Sequence, residues 1–315
     1  MPFVTAFYRA LGTGMVISVD SPIDDKVRSA MESLIEDYEH VLSRFRNDSL
    51  IAAIGKAEHG GSFDFPDWCA PLFDLYDALF SATSGAIDPC VSEDLIRLGY
   101  DASLSFTVTQ DAPEHLGALR GRAVWGRDVT RHGTTLVTHE PVQLDFGACG
   151  KGYLVDLLGR MLQSSQFVID AGGDLLIHAE QPISVALEDP EDQSHAIGIA
   201  HIANGALCAS APSRRHWNVA VNERTQIAIH HLLNAIDGLP AQQTEASWAY
   251  VPANATLNLA RDYPTAVADG LATALFVSDV AQLQRTFDFT YATLDESRQI
   301  AVSRNFPADL FLRSA

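Results

Sequence analysis

The segment LDFGACGKGYLVDLL (residues 144–158) is the stretch on which the reading of this chain turns. Three glycines, Gly147, Gly150 and Gly152, surround Lys151, and Asp145 ends a short apolar run before them. The apolar spacing that follows predicts an amphipathic helix to about Ser164. A glycine-rich loop at a helix start exposes backbone N–H groups, and an ammonium beside them favours an anion. A phosphate-bearing ligand is therefore expected, although a glycine turn with a surface lysine fits the same letters. The spacing matches neither GxxxxGK[ST] nor GxGxxG.

Working outward, residues 13–20 alternate and are rich in β-branched side chains, as a strand requires. Val27, Met31, Leu34, Ile35, Tyr38, Val41, Leu42 and Phe45 recur at helical spacing, predicting a helix from Asp24 to Phe45. A second helix is expected from about Pro66 to Ser84, with Pro66 in its first turn and Gly85 at its stop. Residues 106–139 read as a few strands with polar turns. FVIDAGGDLLIHA (167–179) reads as strand, Gly172-Gly173 turn, strand, and more strands are expected at 185–190, 196–211, 225–233 and 247–252. A last prominent helix is expected from about Thr265 to Ser278. Without a regular βαβ alternation, these elements point to the α+β class, with mixed or antiparallel sheets and packed helices. One domain spanning 1–315 is expected, drawn as two discontinuous lobes around a cleft.

The chain has 315 residues, 47% of them hydrophobic, which is ample for a sizeable core. It carries 40 acids against 21 bases, a formal charge of −19. That field repels nucleic acid and anionic lipid, so neither is an expected partner. Cys69, Cys90, Cys149 and Cys208 lie far apart with no CxxC pair, which argues against zinc or a disulfide framework and fits reduced thiols. The N-terminus lacks the shape of a signal peptide and has no lipobox-like cysteine, and no run approaches a membrane span. A cytoplasmic location is expected.

Several side chains carry chemistry. Asp269 and Thr273, four apart in TAVADGLATALFV (265–277), share one helix face. A carboxylate in such apolar company needs a cation or several donors. The pair suits a hard cation such as Mg²⁺; it equally suits an arginine partner for Asp269 and a backbone bond for Thr273. The doublet His230-His231 places one histidine among apolar residues, Ile227, Ile229, His231 and Leu233 sharing a strand face. Such a histidine is a general base near neutral pH or a structural group. Asp88 in SGAIDP and Glu188 in LEDP precede prolines that hold them in extended loops, where they fit ribose or base edges or ordinary turns. Arg214 and Arg215 form the densest cationic spot, open to phosphate or to solvent. No GxSxG or HExxH is present.

Taken in order, these segments resemble the ApbE family of FAD:protein FMN transferases along most of the chain. LGTGMVIS (11–18) is similar to the family's MGT opening, LSRFRNDSLI (42–51) to F-S-x-Y-R-x-D-S, and SGAIDPCVSEDLIRLGY (84–100) to G-A-F-D-P-[ST]-V…LWGF. LDFGACGKGYLVD (144–156) resembles L-D-L-G-G-I-A-K-G-Y-A-V-D. IDAGGDL (169–175), ALEDP (186–190), HHLLNAIDGLP (230–240) and VADGLATALFV (267–277) follow.

The resemblance implies a central FAD cleft, FAD as substrate and Mg²⁺. It also implies transfer of FMN to a threonine hydroxyl of an acceptor flavoprotein through a phosphoester, with release of AMP. Asp269 and Thr273 match the metal positions, and the backbone carbonyl of Gly150 the third protein ligand. Lys151 matches the lysine of the FAD-binding loop, and Asp145 the acid that opens it. Leu11, Phe45, Ala86, Ile87, Asp88 and Glu188 fall at or beside flavin- and adenine-contacting segments, and His231 matches the general base. The chain also departs from the pattern. HIIDPRTG reads His231 to Gly238 with Asn234, Ala235 and Ile236 in place of Asp-Pro-Arg, T-S-G reads Ala209-Ser210-Ala211, and the tyrosine of Y-R-x-D-S is Phe45. The acceptor side is more altered than the FAD side. Hydrolysis of FAD to FMN and AMP, and FAD binding without turnover, are the alternative functions.

Overall fold

The computed structural model describes residues 1–222 and 225–311. Its frame is a 9-stranded sheet in which every pairing is antiparallel. From one edge the order is Phe3–Ala10, Thr13–Val19, Phe167–Asp170, Asp174–Glu188, Ala196–Ser210, Thr244–Pro252, Thr290–Asp295 and Ile300–Val302. Ala308–Leu310 pairs with residues 198–200 of the central hairpin. Strands from both ends of the chain thus share one sheet.

Period-two alternation buries both faces of that sheet. In Ala196–Ser210, Ala206 and Cys208 face one core while Leu207 faces the other. The first core is covered by helices Asp25–Leu42, Ala70–Ala82, Gly150–Gly159 and Pro264–Ala274. The second gathers Leu175, Ile177, Leu187, Ile202, Leu207, Trp248 and Leu294, and all its buried members except Phe306 come from strands. It is therefore covered by the sheet's own strands. A smaller cluster joins Leu95, Leu98 and Tyr100 to Trp217, Ile229 and Leu233 beside the histidine doublet.

The helices follow their apolar spacing but end sooner than periodicity alone predicts. Asp24 caps the first through the N–H of Lys26, and Met31, Ile35, Tyr38 and Leu42 form its buried stripe. The chain becomes extended at Ser43, so Phe45 lies beyond the helix and is 41% exposed. The second helix divides into a short 3₁₀ turn, Asp67–Cys69, and Ala70–Ala82. The third stops at Gly159 and the last at Ala274.

Four differences concern strands. Phe3–Ala10 and Gly61–Asp64 are strands the alternation rule overlooks. Only Val129–His132 and Thr135–Thr138 are extended within 106–139, because left-handed Gly117, Gly121 and Gly126 turn the chain. The stretches around 174–179 and 185–190 are one strand, Asp174–Glu188. Thr225–His230 ends before His231, which sits in the turn beyond it; the side chain of Ile227 lies outside the described residues. Among the described residues no helix is long and apolar enough to cross a membrane. The four cysteines are buried free thiols.

Candidate active site

The helices Gly150–Gly159 and Pro264–Ala274 pack closely because one contact lacks a side chain. A Cβ on Gly152 would lie 2.3 Å from the carbonyl oxygen of Thr265. Asp156, on the same helix, accepts the N–H groups of Thr265 (3.1 Å) and Ala266 (2.8 Å), capping the second helix from outside. Burial pushes the Asp156 carboxyl up to about 7, against the pull of those donors.

This packing brings Lys151 to Asp269. The Lys151 Nζ lies 3.1 Å from Asp269 Oδ1, and the N–H of Gly152 donates to Asp269 Oδ2 at 3.0 Å. A second carboxylate completes the arrangement: Asp174, at the start of the central hairpin, accepts Lys151 Nζ at 2.5 Å. Asp174 is 1% exposed and Asp269 2%. Burial raises the Asp269 carboxyl and nearby Asp174 raises it further, while Lys151 and the Gly152 N–H oppose them. Burial opposes the charge on Lys151, yet the two aspartates together hold its ammonium above the ordinary lysine range.

The glycine N–H groups, which the loop's composition suggests for a ligand anion, are taken up by the protein's own acceptors. Gly147 donates to Asp145 Oδ1 at 2.5 Å, Gly150 to the Phe146 carbonyl at 2.8 Å, and Gly152 to Asp269. The absent side chains serve close packing instead, and Lys151 alone supplies positive charge from this loop.

Gly150 opens the helix, and its carbonyl oxygen accepts the Tyr38 hydroxyl at 2.8 Å. The carbonyl beside Thr273 is that of Ala148, 3.5 Å from Thr273 Oγ1, and Ser210 Oγ lies 3.5 Å from the same hydroxyl. The Asp269 carboxylate, the Thr273 and Ser210 hydroxyls and the Ala148 carbonyl are all hard oxygen donors, and they fit a cation of the Mg²⁺ type. One oxygen of Asp174, Oδ1, is buried beside them without a hydrogen-bond partner. Among the described residues no group of three or more His, Cys, Asp or Glu side chains is placed to hold a metal ion, so a cation here would rest on hydroxyl and carbonyl oxygens beside Asp269.

Ser210 also lines a cavity of about 300 Å³. Its wall includes Gly172, Gly173, Glu188, Arg214 and Trp248. Glu188 pairs with Arg214 at this cavity, each side chain about half exposed. The Leu11 turn is adjacent: Thr13 approaches within 3.6 Å of a Cβ built on Gly172, and the Leu11 N–H donates to Glu39 at 2.8 Å.

The two histidines separate cleanly. His230 Nε2 donates to the Ala241 carbonyl at 2.7 Å and its Nδ1 accepts the Leu232 N–H at 3.3 Å, so both nitrogens are used. His231 Nδ1 faces the Arg215 carbonyl at 3.2 Å, which can only accept, leaving Nε2 as the basic nitrogen. Burial lowers the His231 pKa to about 4, helped by the charges of Arg215 and Lys151. The ring is neutral at pH 7.

Around His231 stands an aromatic and cationic group. Tyr100 is 6.5 Å away by ring centres, and Phe45 meets Tyr100 edge-on at 5.6 Å. Arg215 donates to the Tyr100 hydroxyl, and Arg44 lies over both Phe45 and Tyr100. Asp145 pairs with Arg44 at 2.5 Å, so its carboxylate shapes the loop. Asp88 is turned inward: it accepts the Cys90 N–H at 2.8 Å and faces Arg122 at 3.4 Å, with its side chain 1% exposed. Arg122 also lies 2.8 Å from Asp94 and donates to the Ala235 carbonyl at 2.7 Å. The Asp88 side chain therefore has no free face for a ligand. Ala86 and Ile87 are buried beside it, and the Ala86 carbonyl accepts the Ala235 N–H at 3.1 Å. Asn234 replaces an aspartate without losing its turn, since its side-chain oxygen accepts the Ile236 N–H at 3.0 Å.

Asp174, Asp156, Ser210 and Arg122 escape the sequence reading as site residues. Asp156 and Asp174 do carry a signal: each is an acid within an apolar run, and an acid so placed needs a partner.

Comparison with known proteins gives a consistent result. The ApbE family model matches residues 11–293. A FAD:protein FMN transferase of Klebsiella pneumoniae (strain 342) is 23% identical over 274 residues, covering 83% of this chain and 74% of the relative. One of Treponema pallidum (strain Nichols) is 26% identical over 286 residues, covering 80% and 72%. The crystal structure of the ApbE protein of Thermotoga maritima superposes with a TM-score of 0.77 at 19% identity, covering 98% of this chain and 99% of that one. The flavin transferase ApbE of Vibrio cholerae gives 0.75 at 17%, covering 96% and 98%. The antiparallel sheet, its helical layer and a family match along nearly the whole chain together place this protein in the ApbE family.

Proposed function

We propose that this protein is a Mg²⁺-dependent FAD:protein FMN transferase that attaches FMN to a threonine hydroxyl of an acceptor flavoprotein and releases AMP. The observation that carries the reading is the contact of Lys151 with Asp269, on the helix whose Thr273 hydroxyl lies 3.5 Å from Ser210 in the cavity wall. The family membership and the names of both curated relatives support it.

A cavity of about 300 Å³ suits one end of FAD rather than the whole molecule. Glu188 and Arg214 line it, with donors and acceptors for a nucleotide. The half-exposed Phe45 ring offers a flat apolar face toward the flavin end. Asp269, Thr273 and the Ala148 carbonyl would hold Mg²⁺, which when bound neutralises phosphate charge as the P–O bond breaks. Lys151 supplies a fixed positive charge to the same phosphates. The acceptor oxygen forms a bond to the FMN phosphorus, the bond from that phosphorus to the bridging oxygen breaks, and AMP leaves with the bridging oxygen. His231 Nε2 takes the hydroxyl proton.

His231→Ala is therefore expected to lower transfer by roughly a hundredfold while FAD affinity changes little. Equal loss of both, measured by transfer rate and FAD titration, would make His231 a binding residue instead. The pH dependence gives a second check. A histidine lowered to about 4 keeps its basic form down to mildly acid pH. The contribution of His231 to kcat/KM should be level from pH 8 to about 5.5 and decline only below about pH 5. A limb centred near 6.5 that vanishes in His231→Ala would keep His231 as the base and contradict the lowering of its pKa by burial.

A further inference from the structure

Asp174 has no role in the chemistry derived above, yet it is buried as deeply as Asp269. It is 1% exposed, its Oδ2 holds Lys151 Nζ at 2.5 Å, and its Oδ1 has no partner among the described residues. A desolvated carboxylate oxygen left bare is unfavourable, so a carboxylate serving only to fix the strand would be expected to find donors for both oxygens. Lys151 is shared: it also lies 3.1 Å from Asp269 Oδ1, an oxygen the cation would need. A cation arriving at Asp269 must displace that ammonium, which then needs another anion within reach. Asp174 is that anion, already in contact. Its position is fixed by the strand ladder, with Asp174 paired opposite Cys208 across the central hairpin.

We propose that Asp174 is a positioning residue that retains Lys151 when a divalent cation occupies Asp269, keeping the lysine and the cation from competing for one carboxylate. This rests on the metal site of the proposed function. Without Asp174 the ammonium has Asp269 as its only carboxylate partner among the described residues, and the cation must break that pair outright. The role is one of coupling: removal of Asp174 should matter because Lys151 is there.

The test is a double-mutant cycle read by Mn²⁺ binding to the FAD-free protein, following free Mn²⁺ by electron paramagnetic resonance. Asp174→Asn is expected to weaken Mn²⁺ about tenfold, a coupling of ordinary size for groups in contact. In a Lys151→Met background the same change should weaken it no more than about twofold. Lys151→Met alone should bind Mn²⁺ at least as tightly as the unaltered protein. Asp174→Glu, which keeps the charge, should recover most of the loss. Circular dichroism confirms the fold of each variant, and Asp174→Ser replaces Asp174→Asn if the latter does not fold. An equal or larger loss in the Lys151→Met background would overturn the proposal, because the acid would then act through its charge alone. Absence of Mn²⁺ binding in the unaltered protein would instead remove the metal site and the proposal with it.

Discussion

Asp269→Ala is expected to abolish metal-dependent turnover, lowering kcat/KM by roughly a thousandfold or more, while the protein stays folded. The carboxylate is the one charged oxygen donor on the Pro264–Ala274 helix, and the other carboxylate beside it, Asp174, is held by Lys151. The fold survives because the charge balance does. Lys151 keeps Asp174 as its partner, so no ammonium is left buried alone. The remaining cost is the Gly152 N–H, which loses its acceptor, at about 1–3 kcal/mol. Steady-state kinetics across a Mg²⁺ series and a thermal melt check both halves. Full activity in this variant, or in EDTA, would sink the metal assignment.

Gly152→Ala should do the opposite, damaging the fold before the chemistry. The new Cβ would stand 2.3 Å from the Thr265 oxygen and 2.6 Å from its carbonyl carbon, both backbone atoms. Neither can turn aside as a side chain can, so the two site helices must separate. A destabilisation of about 3 kcal/mol or more follows from such overpacking. For a chain of this size that lowers Tm by roughly 4–5 °C. Gly270→Ala is the internal control. Its Cβ would meet the Leu79 Cδ1 at 2.7 Å, the end of a flexible side chain, and the substitution gains helix propensity of about 1 kcal/mol. Melting curves should show a large shift for Gly152→Ala and a small one for Gly270→Ala. Equal shifts would mean that the helix contact is softer than its geometry implies.

The contrast between these glycines explains what sequence could and could not reveal. The amphipathic stripe of Met31, Ile35, Tyr38 and Leu42 is a local property, and periodicity found it. Its end at Ser43 was not visible, because Phe45 continues the spacing while the backbone has already turned. The glycines around Lys151 were legible as special but not as to purpose. Letters alone do not say whether a missing Cβ makes room for a phosphate or for the helix carrying Thr265. Asp269 and Thr273 were legible as a pair because four-residue spacing puts them on one face. Asp174 was hidden because its partner stands on a different element 23 residues away, and only the tertiary fold joins them. Likewise, that the Ala148 carbonyl faces Thr273 depends on how the loop before the helix turns, which spacing alone does not give.

The pattern of departures also takes on a physical meaning. Asn234 keeps the turn that an aspartate would make, and Arg122 ties Ala235 to the buried Asp88 and Asp94. The loop after His231 is thus anchored from beneath by groups remote from it in sequence. His231 keeps a free Nε2 in spite of the altered letters around it.

The central claim is that this site moves FMN to a protein hydroxyl, and intact-mass spectrometry of an acceptor tests it most directly. The protein is incubated with FAD, Mg²⁺ and an acceptor domain bearing a threonine flavinylation motif, and free FMN and AMP are assayed alongside. An acceptor heavier by one FMN and an equal amount of AMP are expected, both lost with Asp269→Ala. FMN and AMP released beside an unmodified acceptor, or FAD bound with no turnover, would contradict it.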